Sequence, residues 1–348
     1  MLIKEIVQEG RVEGVYMVLE CRRRVARNGK PFADIKLGDR SGEIALKVWD
    51  APEEIFTRLE KGQVIRLTAV AGNYNNIIQL EADGKEDFYR ICREGEYDPA
   101  NFLPVSPVPP AESWRVLDEA CAQVELAPFK ELLGSFFQDP SFREEFARVP
   151  AALRHHHAYL GGLLEHTAGV VTICQTALAH YPRVNRDLLL TGALLHDLGK
   201  VRSYQISAGF TSTDEGKLLG HLVIGINMVM EAIAEIRRRR GAAFFPATLE
   251  LPLLHLLASH HGNMEWGSPV EPVLLEACLL HHADYMDSEA AKYREAVRNG
   301  PAEAGSWTPY NPNLRRSVYL PDLQWEAPAA AAEEPAGEPA NEEPTLEK

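Results

Sequence analysis

The segment Leu194-Leu195-His196-Asp197-Leu198-Gly199-Lys200 closes an apolar helix on two adjacent ionisable side chains. Burying such groups without partners costs on the order of several kcal/mol. Any fold open to this chain must therefore bring compensating groups to His196 and Asp197, and a divalent cation is the economical one. The remaining histidines point the same way. None occurs in the first 154 residues, ten of the twelve fall between His155 and His261, and the last two are His281 and His282.

Imidazole nitrogen combined with carboxylate oxygen suits borderline to hard divalent ions such as Mn²⁺, Fe²⁺, Co²⁺ or Zn²⁺. No cysteine stands in the pattern, which argues against thiolate-bound structural zinc. Neighbours on a helix point about 100° apart, so His196 and Asp197 do not form a face pair on one ion. They reach two adjacent ions, or Asp197 bridges them. Other helices must supply the remaining donors, and the candidates are His166 and Asp284, each interrupting an otherwise apolar helix face, and His221, His260 and His261, for which helix-capping or core positions are the alternative. Lys200 is a candidate to neutralise charge on a bound anion, although a lysine there also complements a helix dipole. In the run His155-His156-His157, His156 and His157 are candidate substrate contacts, and solvent-exposed positions fit equally well. His180 and His255 read as structural, and His281 or His282 as a partner to a ligand.

The chain divides by pattern. Residues 11–82 alternate apolar and polar side chains in short runs between turns containing Asn28-Gly29, Ser41-Gly42, Lys61-Gly62 and Asn75-Asn76, with one helical insert near 52–59. Five such strands make a small Greek-key barrel of the OB kind; an SH3-like barrel or a small sandwich fits the same pattern. Residues 91–112 read as a linker, with five prolines in 98–112, and the three- and four-residue apolar spacing of 113–320 reads as all-α. Residues 321–348 hold eight acids against one base and account for half of the formal charge of −14, a composition too poor in apolar residues to bury a core. Residues 1–80 instead carry 13 Lys+Arg against 11 Asp+Glu, so the barrel end suits a polyanion although the whole chain is acidic. The five cysteines are widely spaced without a C-x-x-C pair, which fits a reducing cytoplasm. No apolar run approaches the ~20 residues of a membrane span, and no membrane partner is expected. A homo-oligomer is compatible with the sequence.

His166, His196-Asp197 and Asp284 match the H…HD…D pattern of the HD-domain phosphohydrolases, which this chain resembles. The stretches His156-His157-Ala158-Tyr159-Leu160-Gly161-Gly162-Leu163-Leu164-Glu165-His166 and Ser259-His260-His261-Gly262-Asn263-Met264-Glu265-Trp266-Gly267-Ser268-Pro269 are similar, more narrowly, to the YhaM-type 3′→5′ exoribonucleases. That resemblance implies a multidomain chain: an N-terminal all-β OB-like barrel over 1–90, then an all-α HD domain over 113–320, with an acidic tail outside the pattern. It implies two divalent ions, Mn²⁺ favoured, held by His166, His196, Asp197, His221, His260, His261 and Asp284, with Asp197 and Lys200 catalytic. The substrate it implies is single-stranded RNA, or also single-stranded DNA, shortened from the 3′ end. On the barrel, Phe32, Trp49 and Tyr74 are candidate stacking platforms and Arg22, Arg23, Arg24, Lys36 and Lys47 candidate phosphate contacts. Competing expectations are hydrolysis of small nucleotides and a non-catalytic strand-binding module. Against the cyclic-dinucleotide relatives, no Gly-Tyr-Pro follows His260-His261.

Overall fold

The computed structural model describes residues 1–26, 29–75, 77–84, 87–93, 95–153, 157–207, 209–298 and 305–322. Arg27, Asn28, Asn76, His155, His156 and the acidic tail from residue 323 lie outside the described residues. Two compact units are present, Met1–Arg294 and Glu295–Lys348.

The first unit begins with strands β1 (Gly10–Val25), β2 (Pro31–Asp39) and β3 (Gly42–Trp49), a single helical turn α1 (Ile55–Arg58), and strands β4 (Val64–Tyr74), β5 (Ile77–Asp83) and β6 (Tyr89–Ile91). The strand order is β1-β2-β3-β5-β4-β6, and a further pairing of β1 with β4 closes a five-stranded barrel. Closure depends on the length of β1. Its first half pairs with β4 from Gly10↔Ala71 to Met17↔Val64, its second half pairs with β2 from Met17↔Gly38 to Val25↔Pro31, and a register shift at Val18/Glu20 lies between. A bulge of this kind bends a strand from one neighbour to the next. β3 and β5 pair in parallel, the crossover expected of an OB barrel. Val12, Tyr16, Val18, Ile35, Leu37, Leu46, Val48, Ile65, Leu67 and Leu80 fill its interior.

The Pro-rich segment is tied down rather than free. The Arg40 amide donates to the Asn101 carbonyl (2.6 Å) and the Ser106 amide to the Leu160 carbonyl (2.8 Å). Its end is already helix: α2 (Pro110–Gln123) starts with proline at its first position, where the missing N–H costs nothing. Then follow α3 (Ala127–Phe137), α4 (Pro140–Phe146), α5 (Gly162–His180), α6 (Arg186–Leu195), α7 (Lys200–Ser203), α8 (Asp214–Arg240), α9 (Ala247–Ser259) and α10 (Leu275–Arg298). They share one core, which includes Leu117, Phe129, Phe146, Leu163, Leu189, Leu195, Ile233, Phe245, Leu256 and Leu280. The helical expectation holds, with two short hairpins in addition. Strands β7 (Tyr204–Ile206) and β8 (Phe210–Ser212) form a hairpin between α7 and α8, and β9 (Ser306–Trp307) pairs with β10 (Tyr319–Leu320) in the second unit. Both are too short to show as alternation in a sequence.

Among the described residues, α8 is long and apolar enough to cross a membrane by length and composition. It contributes Leu222, Ile224, Met228, Val229, Ile233 and Ile236 to the helical core instead.

Candidate metal centre

Six of the seven expected ligands sit near a helix end or beside a break in a helix, and Asp284 is the exception. His166 lies in the second turn of α5, His260 and His261 follow the last turn of α9, and Asp284 lies within α10. α6 stops at Leu195, and residues 196–199 form a turn before α7. His196 keeps helical backbone angles (φ −54°, ψ −40°), yet the two side chains bend together: His196 Nε2 comes within 3.3 Å of Asp197 Oδ2. Gly199 has ordinary helical backbone angles, so it is not a left-handed cap. A Cβ there would lie 2.0 Å from the His221 carbonyl oxygen and 2.5 Å from the Gly225 amide. Glycine is required because α8 crosses against it, and that crossing delivers His221. Gly220, with φ +75° and ψ 156°, breaks α8 immediately before His221, a conformation that favours glycine.

Asp197, 2 % exposed, is the hub. Its Oδ2 lies 3.4 Å from His166 Nε2 and 3.3 Å from His196 Nε2, and Asp284 Oδ1 is 3.1 Å from His166 Nε2. Its Oδ1 faces a second group, 3.4 Å from His221 Nε2 and 3.7 Å from His260 Nε2, with His261 Nε2 3.3 Å from His221 Nε2. All seven expected ligands are thus brought together, three on one side of Asp197 and three on the other.

The ring orientations are set from behind. Nδ1 of His196 pairs with the Ala193 carbonyl (2.8 Å), that of His260 with the Leu257 carbonyl (2.8 Å), and that of His261 with the Trp266 carbonyl (2.9 Å). A carbonyl only accepts, so Nδ1 carries the proton and each Nε2 presents a lone pair inward. Lone pairs that converge on a carboxylate need a cation between them. Asp197 Oδ1 and His260 Nε2 are buried without any hydrogen-bond partner, and such orphans are rare unless an ion or water completes them. The donor set fits a divalent metal.

The electrostatics agree. Burial disfavours a charged imidazole at His166, yet the carboxylates of Asp197, Asp284 and Asp287 outweigh it and hold that ring well above the ordinary histidine value. They demand positive charge at that point. Burial and the Lys200 ammonium hold His221 well below the ordinary value, and burial with neighbouring His260 pushes His261 down to about 4. Both rings are neutral and able to ligate. Burial opposes ionisation of Asp197, but Lys200 and His196 keep its carboxyl well below the usual range.

The structure changes three assignments. Lys200 is buried, with its Nζ 2.5 Å from Asp197 Oδ2, so its charge serves that carboxylate rather than reaching toward an incoming anion. His157 is 4 % exposed, with Nδ1 2.7 Å from the Tyr159 hydroxyl and Nε2 3.0 Å from Asp287 Oδ2. It stands behind the centre and is corrected from a substrate contact to an internal support; His156 lies outside the described residues. Asp287 is the residue the sequence reading missed. Its Oδ2 accepts from Nδ1 of His166 at 2.7 Å, fixing that ring as the carbonyls fix the others. The signal available was its spacing, one helical turn beyond Asp284 and on the same face.

On the barrel the arginine run lies in the second half of β1 and splits by strand alternation. Arg22, Arg24, Lys36 and Lys47 line one cleft of about 380 Å³ together with Glu20, Asp34 and Glu43. Arg23 faces the other side, paired with Glu53 and 5.9 Å from the Phe56 ring centre, and is set apart from the other four. Arg22 pairs with Glu20, Arg24 and Lys47 with Asp34, and Lys36 with Glu43, so four bases meet three acids on this surface. Phe32 and Trp49 are cross-strand neighbours with ring centres 4.9 Å apart. Tyr74 pairs with Ile77 at one end of β5 and Trp49 with Asp83 at the other, roughly 20 Å along the strand at ~3.3 Å per residue. The three aromatics do not form one platform.

Comparison with known proteins matches residues 163–289 to the HD domain family and residues 9–87 to an OB-fold nucleic acid binding domain. The chain is 33% identical over 282 residues to a 3′-5′ exoribonuclease YhaM of Oceanobacillus iheyensis, covering 80% of this chain and 84% of that protein. It is 30% identical over 314 residues to the 3′-5′ exoribonuclease YhaM of Bacillus velezensis, covering 89% and 95%. Among solved structures, a murine DNA binding protein bound with double-stranded DNA aligns over 26% of this chain and 46% of that one, at 21% identity and a TM-score of 0.22.

Proposed function

This chain belongs to the YhaM family of 3′–5′ exoribonucleases, and from that premise we propose that it removes nucleotides from the 3′ end of single-stranded RNA, and of single-stranded DNA, at a two-ion centre built on Asp197. The observation that carries the reading is the placement of Asp197, one carboxylate oxygen toward each of two groups of donors.

His166, His196, Asp284 and Asp197 Oδ2 would hold one ion; His221, His260, His261 and Asp197 Oδ1 would hold the other. Mn²⁺ suits a set of imidazoles and carboxylates without thiolate, as do Fe²⁺, Co²⁺ and Zn²⁺. When bound, such ions supply Lewis-acid activation of water and of the phosphoryl oxygens. The chain's own residues set the geometry. Backbone carbonyls and Asp287 hold His166, His196, His260 and His261 in one tautomer with Nε2 inward. Lys200 keeps Asp197 ionised through its contact with Oδ2, which a carboxylate accommodates because each oxygen has more than one acceptor direction. Burial of His166, His196 and His260 leaves Asp284 and His221, with side chains 16% and 17% exposed, and half-buried His261 as the ligands open to solvent. The phosphodiester would approach from that side.

The organisation that serves this activity is a strand-holding barrel over 1–90, with Arg22, Arg24, Lys36 and Lys47 in one cleft and Phe32 and Trp49 beside it. A connecting segment over 91–112, the helical hydrolase domain over 113–320 and the acidic tail follow. The free cysteines among the described residues fit a cytoplasmic enzyme.

The test is incubation with Mn²⁺ and 5′-labelled single-stranded RNA, single-stranded DNA and a panel of nucleotides. A ladder shortened from the 3′ end is expected, and Asp197→Ala is expected to abolish it while the circular dichroism spectrum is kept. Hydrolysis of small nucleotides alone, a mobility shift without cleavage, or full turnover by Asp197→Ala would each refute the reading.

A further inference from the structure

Trp266 and Tyr285 are stacked on each other, ring centres 5.5 Å apart and planes 10° from parallel, yet they remain 50% and 44% exposed. Large aromatics packed only to stabilise a loop would be expected to turn inward. The loop does have inward-facing residues: Ser268 is 3% exposed, its hydroxyl donating to the Ala258 carbonyl at 3.0 Å. The loop is also short and fixed, a 3₁₀ turn over Met264–Trp266 closed by the Gly267 amide on the Met264 carbonyl at 3.0 Å.

The backbone of each residue adjoins the metal centre. Tyr285 directly follows Asp284 in α10, and the Trp266 carbonyl receives Nδ1 of His261 at 2.9 Å. His281 stands beside them, its ring centre 6.1 Å from that of Trp266 and its Nδ1 2.8 Å from the His260 carbonyl. Asp284 and His261 are also two of the three ligands that open to solvent. A flat, exposed π surface is therefore carried by backbone that adjoins two of the ligands, Asp284 and His261.

Resting on the exonuclease reading above, we propose that the Trp266–Tyr285 pair is the seat of the 3′-terminal base, which stacks on its exposed face while the adjoining phosphodiester enters the centre. Stacking suits an enzyme that must accept every base in turn, because all bases present a π face and none is read by hydrogen bonds. The ribose and phosphate then need no base-specific contact to reach the same position at each cut.

The test uses the full chain with Mn²⁺ and two 5′-labelled RNA oligonucleotides, identical except that one ends in an abasic 3′ nucleotide, and follows only the first cut. The wild type is expected to lose kcat/KM on the order of 10-fold on the abasic end, from a stacking contribution of that order. Trp266→Ala is expected to lose about as much on the normal end and to become indifferent to the terminal base, with bound Mn²⁺ per chain unchanged; Trp266→Phe should recover most of the base dependence. Base dependence retained in both Trp266→Ala and Tyr285→Ala overturns the proposal. So does loss of bound Mn²⁺ in Trp266→Ala, which would assign the residue to holding His261. A change in sedimentation of Trp266→Ala with base dependence intact overturns it too, since exposed Met264 and Met286 nearby would then mark a contact between copies. Wild-type RNA that is shortened with no preference for a terminal base refutes the stacking seat alone. RNA that is not shortened at all refutes both readings.

Discussion

At the scale of single residues, the metal centre depends on atoms that never face the substrate. Asp287 accepts from Nδ1 of His166 and contacts Nε2 of His157 through the same oxygen, so its carboxylate sets the ring that two other carboxylates approach. Replacing it by Asn keeps the volume but removes the charge that holds the His166 proton on Nδ1. We expect Asp287→Asn to weaken Mn²⁺ binding about 10- to 100-fold, the usual cost of losing such a partner, with thermal unfolding little changed; titration calorimetry with Mn²⁺ reads both affinity and stoichiometry. Asp287 was legible only as spacing, because a carboxylate one turn from a ligand looks the same whether it points to the ring or to water.

At the scale of elements, two contacts are tested by substitution. Gly199 admits α8 against the turn after His196-Asp197, and a methyl group there meets the α8 backbone at His221 and Gly225. Gly199→Ala must push α8 away. It should destabilise the chain by about 1–3 kcal/mol, and it should weaken Mn²⁺ binding more than the loss in stability explains, because His221 moves with α8. Melting curves with and without Mn²⁺ separate the two effects. In β1, Tyr16 is fully buried, and burial together with Asp39 and Glu5 raises its hydroxyl pKa to about 12. The folded pKa is above the unfolded value of about 10, so this contribution to stability is complete below pH 10 and is lost as pH rises through 12. Tyr16→Phe should flatten the fall in melting temperature between pH 10 and 12, as followed by circular dichroism. The arginine run of β1 shows how element and surface interact: its alternation was hidden because both faces are polar there, and pairing with β2 alone reveals which arginines share a cleft.

For the whole molecule, barrel and helical domain have separate cores, and the metal centre draws on α5, α8, α9, α10 and the turn after α6 within one of them. Ions that bind only the folded centre stabilise it by mass action, about 2.7 kcal/mol at a hundredfold excess over Kd. Chelation with EDTA is therefore expected to lower the melting temperature of the wild type by several degrees and to leave that of Asp197→Ala nearly unchanged, read by scanning calorimetry. The sequence by itself determined the two-part architecture, because period-two and period-3.6 apolar patterns are local. It also determined the seven candidate ligands, because histidine and aspartate inside apolar helices have few stable uses other than a metal. Only the tertiary structure decided how they divide between the two oxygens of Asp197, that Lys200 and His157 face inward, that Asp287 joins them, and that Trp266 meets Tyr285. Each of these depends on where distant helices cross and on which way a ring turns, and packing sets both across tens of residues that no local pattern spans.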